Sequence, residues 1–178
     1  MLTAKQEELL VELGSRMSAE EQALYRPLMD YLLELGYRPR LKKKRTFLVE
    51  FVQFGKIMAK LEIDGKLEPN APEETIFSLR CSASEDFPEV VLSGLRIRPA
   101  AWTKRGQLHP SVEQWRCCGY CKGEVRIYRF PDEEGQTRCR CGLYSVPVPN
   151  MSHADLPSIR QLIDSQHAFF IRNATTDA

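Results

Sequence analysis

Five of the six cysteines of this chain lie between positions 117 and 141, in two close groups. The first group is Cys117-Cys118-Gly-Tyr-Cys121 and the second is Cys139-Arg-Cys141. Structural Zn²⁺ sites hold the metal with four ligands at tetrahedral corners, about 2.3 Å from each sulfur, and short loops supply the thiolates two at a time. The spacing therefore predicts one structural zinc site with four ligands, namely Cys118, Cys121, Cys139 and Cys141.

The choice between the neighbours Cys117 and Cys118 depends on spacing alone. Cys118 and Cys121 form the Cys-x2-Cys pair of a zinc knuckle, whereas Cys117 would give a Cys-x3-Cys pair. We therefore prefer Cys118 as the ligand, and exchange between the two neighbours stays open. The second pair, Cys139-x-Cys141, is one residue shorter than the knuckle form.

Basic residues flank the predicted ligands, namely Arg116, Lys122, Arg138 and Arg140. Four thiolates around a divalent ion leave a local charge of about −2, which these residues would compensate. Their positive charge would also lower the thiol pKa values and favour metal binding near neutral pH. The alternatives to a zinc site are uncomplexed cysteines or a disulfide on a basic hairpin, a redox role for Cys117 and Cys118, and an iron–sulfur cluster.

Length and composition are those of a globular protein. The chain has 178 residues, 43% of them hydrophobic, and a formal net charge of +1. Its first residues contain neither a basic leader nor a long apolar run, so we expect no signal peptide and no transmembrane span. The expected location is the cytoplasm, where clustered cysteines are more often metal ligands than disulfides. Cys81, in an apolar segment far from the cluster, is expected to be a buried hydrophobic side chain.

A basic run extends from Arg38 to Arg45 and follows an acidic N-terminal segment. Such a run can bind phosphates, and its candidate nucleic-acid contacts are Arg40, Lys42, Lys43, Lys44 and Arg45. The alternative is a solvated connection between a helix and the first strand. Three nearby aromatic residues are of a type that stacks on bases, but their strand-like setting favours the core: Phe47, Phe51 and Phe54.

Helical periodicity and capping residues predict two N-terminal helices. Thr3 can cap the first helix, which we expect to stop at Gly14. Ser18 and Glu21 form a capping-box pattern for the second helix, which carries leucines at helical spacing and should end before Gly36. Pro27 should kink or divide this helix. A second group of helical signals predicts a final helix over residues 157–171.

The period changes after residue 46 to that of strands. Strands are expected over residues 47–52, 56–63 and 75–81, with turns at Phe54-Gly55 and Asp64-Gly65. Residues 87–95 are ambiguous, because Pro88 can open a short helix that ends at Gly94. Two further strands, over residues 124–130 and 137–148, would flank the cysteines, with residues 131–135 as the tip between them.

These elements predict an α+β fold with N-terminal helices, a small antiparallel sheet, a zinc-ribbon-like β-hairpin module and a C-terminal helix. The proline-containing stretch over residues 99–115 is the expected linker. It would separate an α+β domain of residues 1–98 from the zinc-ribbon-like module with its helix, residues 116–178.

Two segments of the first half carry a resemblance to known proteins. Glu34-Leu-Gly-Tyr37, leading through Phe47 to Gly55-Lys-Ile-Met-Ala-Lys-Leu, resembles small bacterial α+β domains of the YdhG and YjbR-like group. The resemblance covers about half of the chain and implies a compact antiparallel sheet with helices on one side and no settled enzymatic role. The cysteine-rich part resembles zinc ribbons in general.

The sequence leaves two hypotheses for the function of this protein. The chain has no glycine-rich phosphate loop, no His-Glu-x-x-His run and no Gly-x-Ser-x-Gly elbow. None of its three histidines, His109, His153 and His167, is at ligand spacing from another. The preferred hypothesis is a non-enzymatic binding module, with a protein or nucleic-acid partner and a structural zinc ion. The other is a thiol-redox protein or an enzyme with a pocket in the N-terminal domain.

Overall fold

The computed structural model describes residues 1–42, 46–67, 70–97, 108–109 and 126–176. Within them the protein is α+β, with four helices, antiparallel strands and a helix at the C-terminus, as the sequence predicts. A short 3-10 turn, His153–Asp155, precedes the last helix. The helices are α1 (Ala4–Ser15), α2 (Ala19–Glu34), α3 (Glu89–Arg96) and α4 (Leu156–Thr176), and the strands are β1 (Arg38–Lys42), β2 (Phe47–Gln53), β3 (Lys56–Gly65), β4 (Glu74–Leu79), β5 (Leu108–His109), β6 (Ile127–Pro131), β7 (Thr137–Cys141) and β8 (Val146–Pro147).

Both N-terminal helices begin with the predicted capping residues. The Thr3 hydroxyl accepts the Gln6 amide, and the Gln6 side chain accepts the Thr3 amide, at 3.3 and 3.0 Å. Ser18 and Glu21 exchange the same pair of bonds at 3.2 and 2.7 Å. Two amides at each helix start are satisfied in this way. The first helix ends at Ser15, one residue beyond the predicted stop.

Helix α2 is continuous through Pro27, so of the two predicted effects of this residue, a kink or a division, the division was wrong. A proline inside a helix removes one amide hydrogen bond and crowds the preceding turn. The apolar face of α2 compensates, because it is buried on both sides of the proline by side chains that include Tyr25, Leu28 and Leu32. Tertiary packing therefore keeps the helix intact.

The larger sheet is antiparallel, with strand order β1-β2-β3-β4-β8. Strands β2 and β3 are joined by the predicted two-residue turn, in which Phe54 and Gly55 have φ values of 52° and 67°. The predicted turn at Asp64-Gly65 was wrong. Asp64 has a φ of 54°, but it lies inside β3, where the register to β4 shifts between Glu62 and Gly65. The same residue types that favour a turn here form a bulge.

A smaller antiparallel sheet has the order β5-β7-β6. Its strands β6 and β7, with the tip between them, are called here the cysteine hairpin, residues 127–141. The tip is closed by Asp132, whose carboxylate accepts the amides of Glu134 and Gln136 at 3.1 and 2.7 Å. The predicted strand over residues 137–148 is two strands, β7 in this sheet and β8 in the larger one. Of the predicted linker, residues 99–115, the structure describes only β5.

Buried side chains from both sheets and from all four helices meet in one hydrophobic cluster. Tyr25 of α2 stacks on Phe77 of β4, with ring centroids 6.1 Å apart. The same cluster includes Tyr128 and Phe130 of the cysteine hairpin and Phe170 of α4. The division of the chain into domains of residues 1–98 and 116–178 stays a prediction. Of the described helices, none is long and apolar enough to cross a membrane.

Helix α3 starts after Pro88, as the sequence indicates, but it does not end at Gly94. The helix continues to Arg96. Within it, Gly94 lies against the backbone of β8. An ideal Cβ at this position would be 1.7 Å from the Pro147 carbonyl oxygen. The glycine therefore provides the close approach of helix to strand.

We expect Gly94→Ala to lower the free energy of unfolding by at least about 2 kcal/mol, because the added methyl group must displace backbone atoms of β8. Chemical denaturation followed by circular dichroism measures the change. Gly14→Ala is the matched control, because a Cβ at Gly14 in α1 meets no atom within 4 Å. This control should be neutral or more stable by about 0.5–1 kcal/mol. Equal stability of Gly94→Ala and the wild type would contradict the close packing of α3 on β8.

Candidate metal centre

Strand β7 carries two of the predicted zinc ligands. Cys139 and Cys141 are both buried, with 0% and 5% of their surfaces exposed. Side chains two residues apart in a strand project from the same face, so the two thiols share one face of β7. Cys118 and Cys121, together with Cys117, lie outside the described residues. In the part of the chain that the structure describes, no group of three or more metal-binding side chains occurs.

The smaller sheet also brings a histidine to this strand. The backbone register places His109 of β5 opposite Cys139, which is paired on its other side with Arg129 of β6. Local spacing could not predict this pairing, because 29 intervening residues separate His109 from Cys139. Strand pairing over such a distance follows from tertiary structure rather than from local spacing.

Arg140, between the two cysteines in sequence, is 1% exposed. Burial lowers the pKa of its guanidinium to about 9, although Tyr128, Cys81 and Cys141 oppose this shift. A buried cation is costly unless negative charge or hydrogen-bond acceptors lie close to it. The strand therefore places a positive charge in the interior beside the thiols.

Arg138 has a different environment from Arg140. Its Nε donates to the Asp132 carboxylate at 2.6 Å, so its charge is already compensated within the hairpin tip. Hydrogen bonds from Arg138 and from the amides of the tip lower the pKa of Asp132, against the effect of desolvation. The other two flanking residues, Arg116 and Lys122, lie outside the described residues. Arg138 is thus paired within the tip, whereas Arg140 is buried and interacts electrostatically with Tyr128, Cys81 and Cys141.

Hydrogen bonds join the cysteine hairpin to the residues that follow β4. The Tyr128 hydroxyl accepts the Cys81 amide at 3.1 Å and donates to the Tyr144 carbonyl at 2.9 Å. The Gly142 carbonyl accepts Arg80 Nε at 2.8 Å and the Ser82 hydroxyl at 3.3 Å. The residue after Cys141 is therefore held against the larger sheet.

Gly142 meets a steric requirement at this joint. An ideal Cβ there would be 1.8 Å from the Arg126 carbonyl oxygen and 2.6 Å from the Ser82 Cβ. Residue types with a side chain would push the end of β7 away from residues 80–83. This packing therefore requires a glycine at position 142.

Cys81 is fully buried, as predicted. Burial raises the pKa of its thiol to about 12, and the hydrogen bond with Tyr128 only partly opposes this effect. The thiolate is the reactive form of cysteine, so Cys81 is protonated and unreactive near neutral pH in the folded protein.

The predicted nucleic-acid contacts lie partly on β1. Residues 38–42 form this edge strand, so the alternative of a solvated connection before the first strand was wrong for this part of the run. Arg40 is bound to the buried Glu50 carboxylate at 2.6 Å. Lys42 is exposed, and Lys43, Lys44 and Arg45 lie outside the described residues.

The three aromatic residues near this run differ in exposure. Phe51 is fully buried and Phe47 is half-buried beneath the Arg16 guanidinium, 4.3 Å from its ring centroid, so both pack as predicted. Phe54 was expected in the core but is 44% exposed in the β2–β3 turn. Its ring stacks on His167, with centroids 6.5 Å apart.

The described histidine side chains have structural surroundings. His153 lies in the 3-10 turn before α4, where the Asp155 carboxylate accepts the Ser152 amide at 2.8 Å. His167 Nδ1 is 3.1 Å from the buried Tyr37 hydroxyl. Partial burial lowers the pKa of His167, and Asp164 opposes this shift.

A cleft of about 510 Å³ lies between residues 84–88 and α4. Carboxylates and hydroxyl groups line it, and its described lining includes neither a histidine nor a cysteine; the polar lining residues are Ser84, Glu85, Asp86, Ser158, Gln161 and Ser165. Acid–base catalysis needs titratable groups whose environments separate their pKa values.

The chain matches no protein-family model, and no curated protein and no solved structure matches it either.

The buried thiol predicts a pH dependence of stability. The pKa of Cys81 is about 12 in the folded protein and ordinarily 9.0, so only the unfolded chain ionises at moderately alkaline pH. The stability contributed by the protonated thiol is complete below about pH 9 and is lost as the pH rises towards about 12. Urea denaturation at pH values between about 8 and 11 should show a fall in the free energy of unfolding that is shallower in Cys81→Ala. Ser84→Ala, which removes no ionisable group, should keep the wild-type slope. Identical slopes in all three proteins would show that Cys81 does not contribute.

Proposed function

We propose that this protein is a zinc-binding α+β protein in which one structural Zn²⁺ is held by Cys118, Cys121, Cys139 and Cys141. The observation that supports this most directly is the burial of Cys139 and Cys141 on one face of β7, with the buried Arg140 between them in sequence. Two adjacent buried thiols supply half of a tetrahedral set, and Cys118 and Cys121 have the knuckle spacing for the other half.

The charges of the hairpin suit the same proposal. Four thiolates and one Zn²⁺ have a net charge of about −2, and the Arg140 guanidinium lies close enough to the Cys141 side chain to interact with it electrostatically. A cation near a ligand would stabilise the thiolate form that binds metal.

A site with four thiolate ligands is a structural site. Catalytic zinc keeps one coordination position open for water or substrate, whereas four cysteines occupy all positions. We therefore propose that the protein is a cytoplasmic binding module and not an enzyme, with the metal fixing the shape of a surface for a protein or nucleic-acid partner. The redox alternative would use Cys117 and Cys118, because the buried Cys81 thiol has too high a pKa to react.

A second candidate function, nucleic-acid binding, is favoured by the position of β1. Arg38, Arg40 and Lys42 alternate along this edge strand and so share one face of it. Arg40 remains half-exposed while it is bound to Glu50. This face, with the three basic residues that follow it in sequence, would contact phosphates.

We expect the purified protein to contain about one zinc per chain, because the spacing provides one tetrahedral set. Cys121→Ser and Cys139→Ser should each lose the metal, since one ligand of four is removed. Elemental analysis by mass spectrometry measures zinc and iron in the same sample. Cys118→Ser should lose the metal, and Cys117→Ser should keep it.

The control for this series is Cys81→Ala, which removes a buried cysteine that the proposal does not use. It should retain about one zinc per chain. Wild-type protein that is folded and metal-free would refute the zinc site. Equal losses from Cys117→Ser and Cys118→Ser would mean that the two neighbours exchange as ligands.

Phosphate contacts predict a salt-dependent affinity. If the basic run binds nucleic acid, affinity should fall steeply between about 50 and 200 mM salt, because each engaged cation releases a condensed counterion. Replacing Lys42, Lys43 and Lys44 with glutamine should flatten the slope of log affinity against log salt by up to about 3. Electrophoretic shift assays with single- and double-stranded DNA and RNA measure it.

The matched control for the salt experiment removes three charges elsewhere. Lys5, Arg26 and Lys66 are exposed, and their joint replacement with glutamine leaves the basic run intact. This variant should bind as the wild type does. If the two triple variants behave alike, net charge accounts for the effect and the basic run is not the contact.

A further inference from the structure

We propose that the metal stabilises the whole α+β core and not the cysteine hairpin alone, so that metal availability determines how much of the protein is folded. This inference rests on the proposed zinc site. A zinc ribbon that folds by itself would lose only its own structure when the metal is removed. The contacts of this hairpin indicate a different behaviour.

The buried aromatic side chains of β6 belong to the common core. Tyr128 and Phe130 of β6 are 0% and 3% exposed and lie in the same cluster as Phe77 and Leu79 of β4. Phe87 also contacts Tyr128, with ring centroids 5.9 Å apart. Loss of the hairpin would expose these side chains and remove their part of the common core.

Hydrogen bonds at the end of β7 join the hairpin to the residues that follow β4. The Gly142 carbonyl, one residue beyond a proposed ligand, accepts Arg80 Nε and the Ser82 hydroxyl. The Arg80 guanidinium in turn lies over the Phe170 ring, 5.0 Å from its centroid. A metal that fixes Cys141 would thereby fix the contact between the hairpin, residues 80–82 and α4.

Only a short stretch of chain connects the proposed ligand Cys141 to the larger sheet. Strand β8 begins five residues after Cys141 and pairs with β4, where Val146 lies opposite Leu79. Helix α3 packs on β8 through Gly94. Disorder at Cys141 would therefore reach an outer strand of the larger sheet within a few residues.

These contacts couple metal binding to folding of the entire chain. A ligand that binds only the folded state stabilises every element that unfolds with its site. We infer that the metal-free chain opens β2 and β3 far more often than the metal-loaded chain, although these strands contain none of the proposed ligands. The regulated quantity is the folded fraction.

Amide hydrogen exchange of the metal-loaded full chain tests this, with zinc content measured on the same samples. Chelation should raise exchange in residues 47–65 of β2 and β3 at least tenfold, as well as in residues 127–141, and added zinc should reverse both. Cys139→Ser should exchange rapidly in both regions without chelator. Cys81→Ala is the matched cysteine control and should keep its zinc and its response to chelation.

Each outcome of the exchange experiment decides the question. If zinc is present and chelation affects residues 127–141 alone, the coupling is refuted while the zinc site stands. If the wild type binds no metal, the zinc site fails and this inference fails with it. A reversible response of both regions in zinc-containing protein supports both.

Discussion

The Gly142 carbonyl and the two side chains that donate to it hold the two sheets of this protein together. Arg80 and Ser82 follow β4, and Gly142 follows β7, so their hydrogen bonds join the last long strand of one sheet to the central strand of the other. The same short segment, residues 80–83, also binds α4, because the Ala83 amide donates to Gln166 Oε1 at 2.9 Å. Buried polar groups of this kind are costly to separate, since each would lose its partner away from water. Residues 80–83 thus hold both the hairpin and α4 by hydrogen bonds.

Two glycines make the close contacts around this joint possible. Gly142 admits the Arg126 carbonyl, and Gly94 admits the Pro147 carbonyl, at distances that leave no space for a Cβ. Both contacts are between backbone atoms, which cannot adjust as the end of a flexible side chain can. Helix α3 must therefore lie close to β8, and the end of β7 must lie close to Arg126. Tyr128 and Cys81 are fully buried near this joint.

The sequence predicted the parts of the fold that are set locally. Capping boxes and the Phe54-Gly55 turn were correct because neighbouring residues alone satisfy the backbone groups there. Asp64-Gly65 was misassigned because a bulge and a hairpin turn favour the same residue types. Strand β1 was missed because a run of basic residues lacks apolar alternation, and its pairing with β2 supplies what its pattern does not.

The candidate site shows the same limit. Spacing selected Cys139 and Cys141, which are buried in β7, and zinc binding by these two and by Cys118 and Cys121 stays a prediction. The burial of Arg140 could not be read from spacing, since its cause is the packing of β7 against Cys81 and Tyr128. The backbone pairing of His109 with Cys139 is likewise a property of the sheet and not of any local motif.

Both outer strands of the larger sheet contain a proline, Pro39 in β1 and Pro147 in β8. Proline has no amide hydrogen to offer to an added strand, and sheet edges that carry prolines and positive charges resist pairing with other chains. Strand β1 combines Pro39 with Arg40 and Lys42, while β8 is only two residues long and lies under α3. The consequence is that each outer strand interrupts the row of amides that another chain would need, which disfavours intermolecular β-pairing next to the hydrophobic strands β2 and β3.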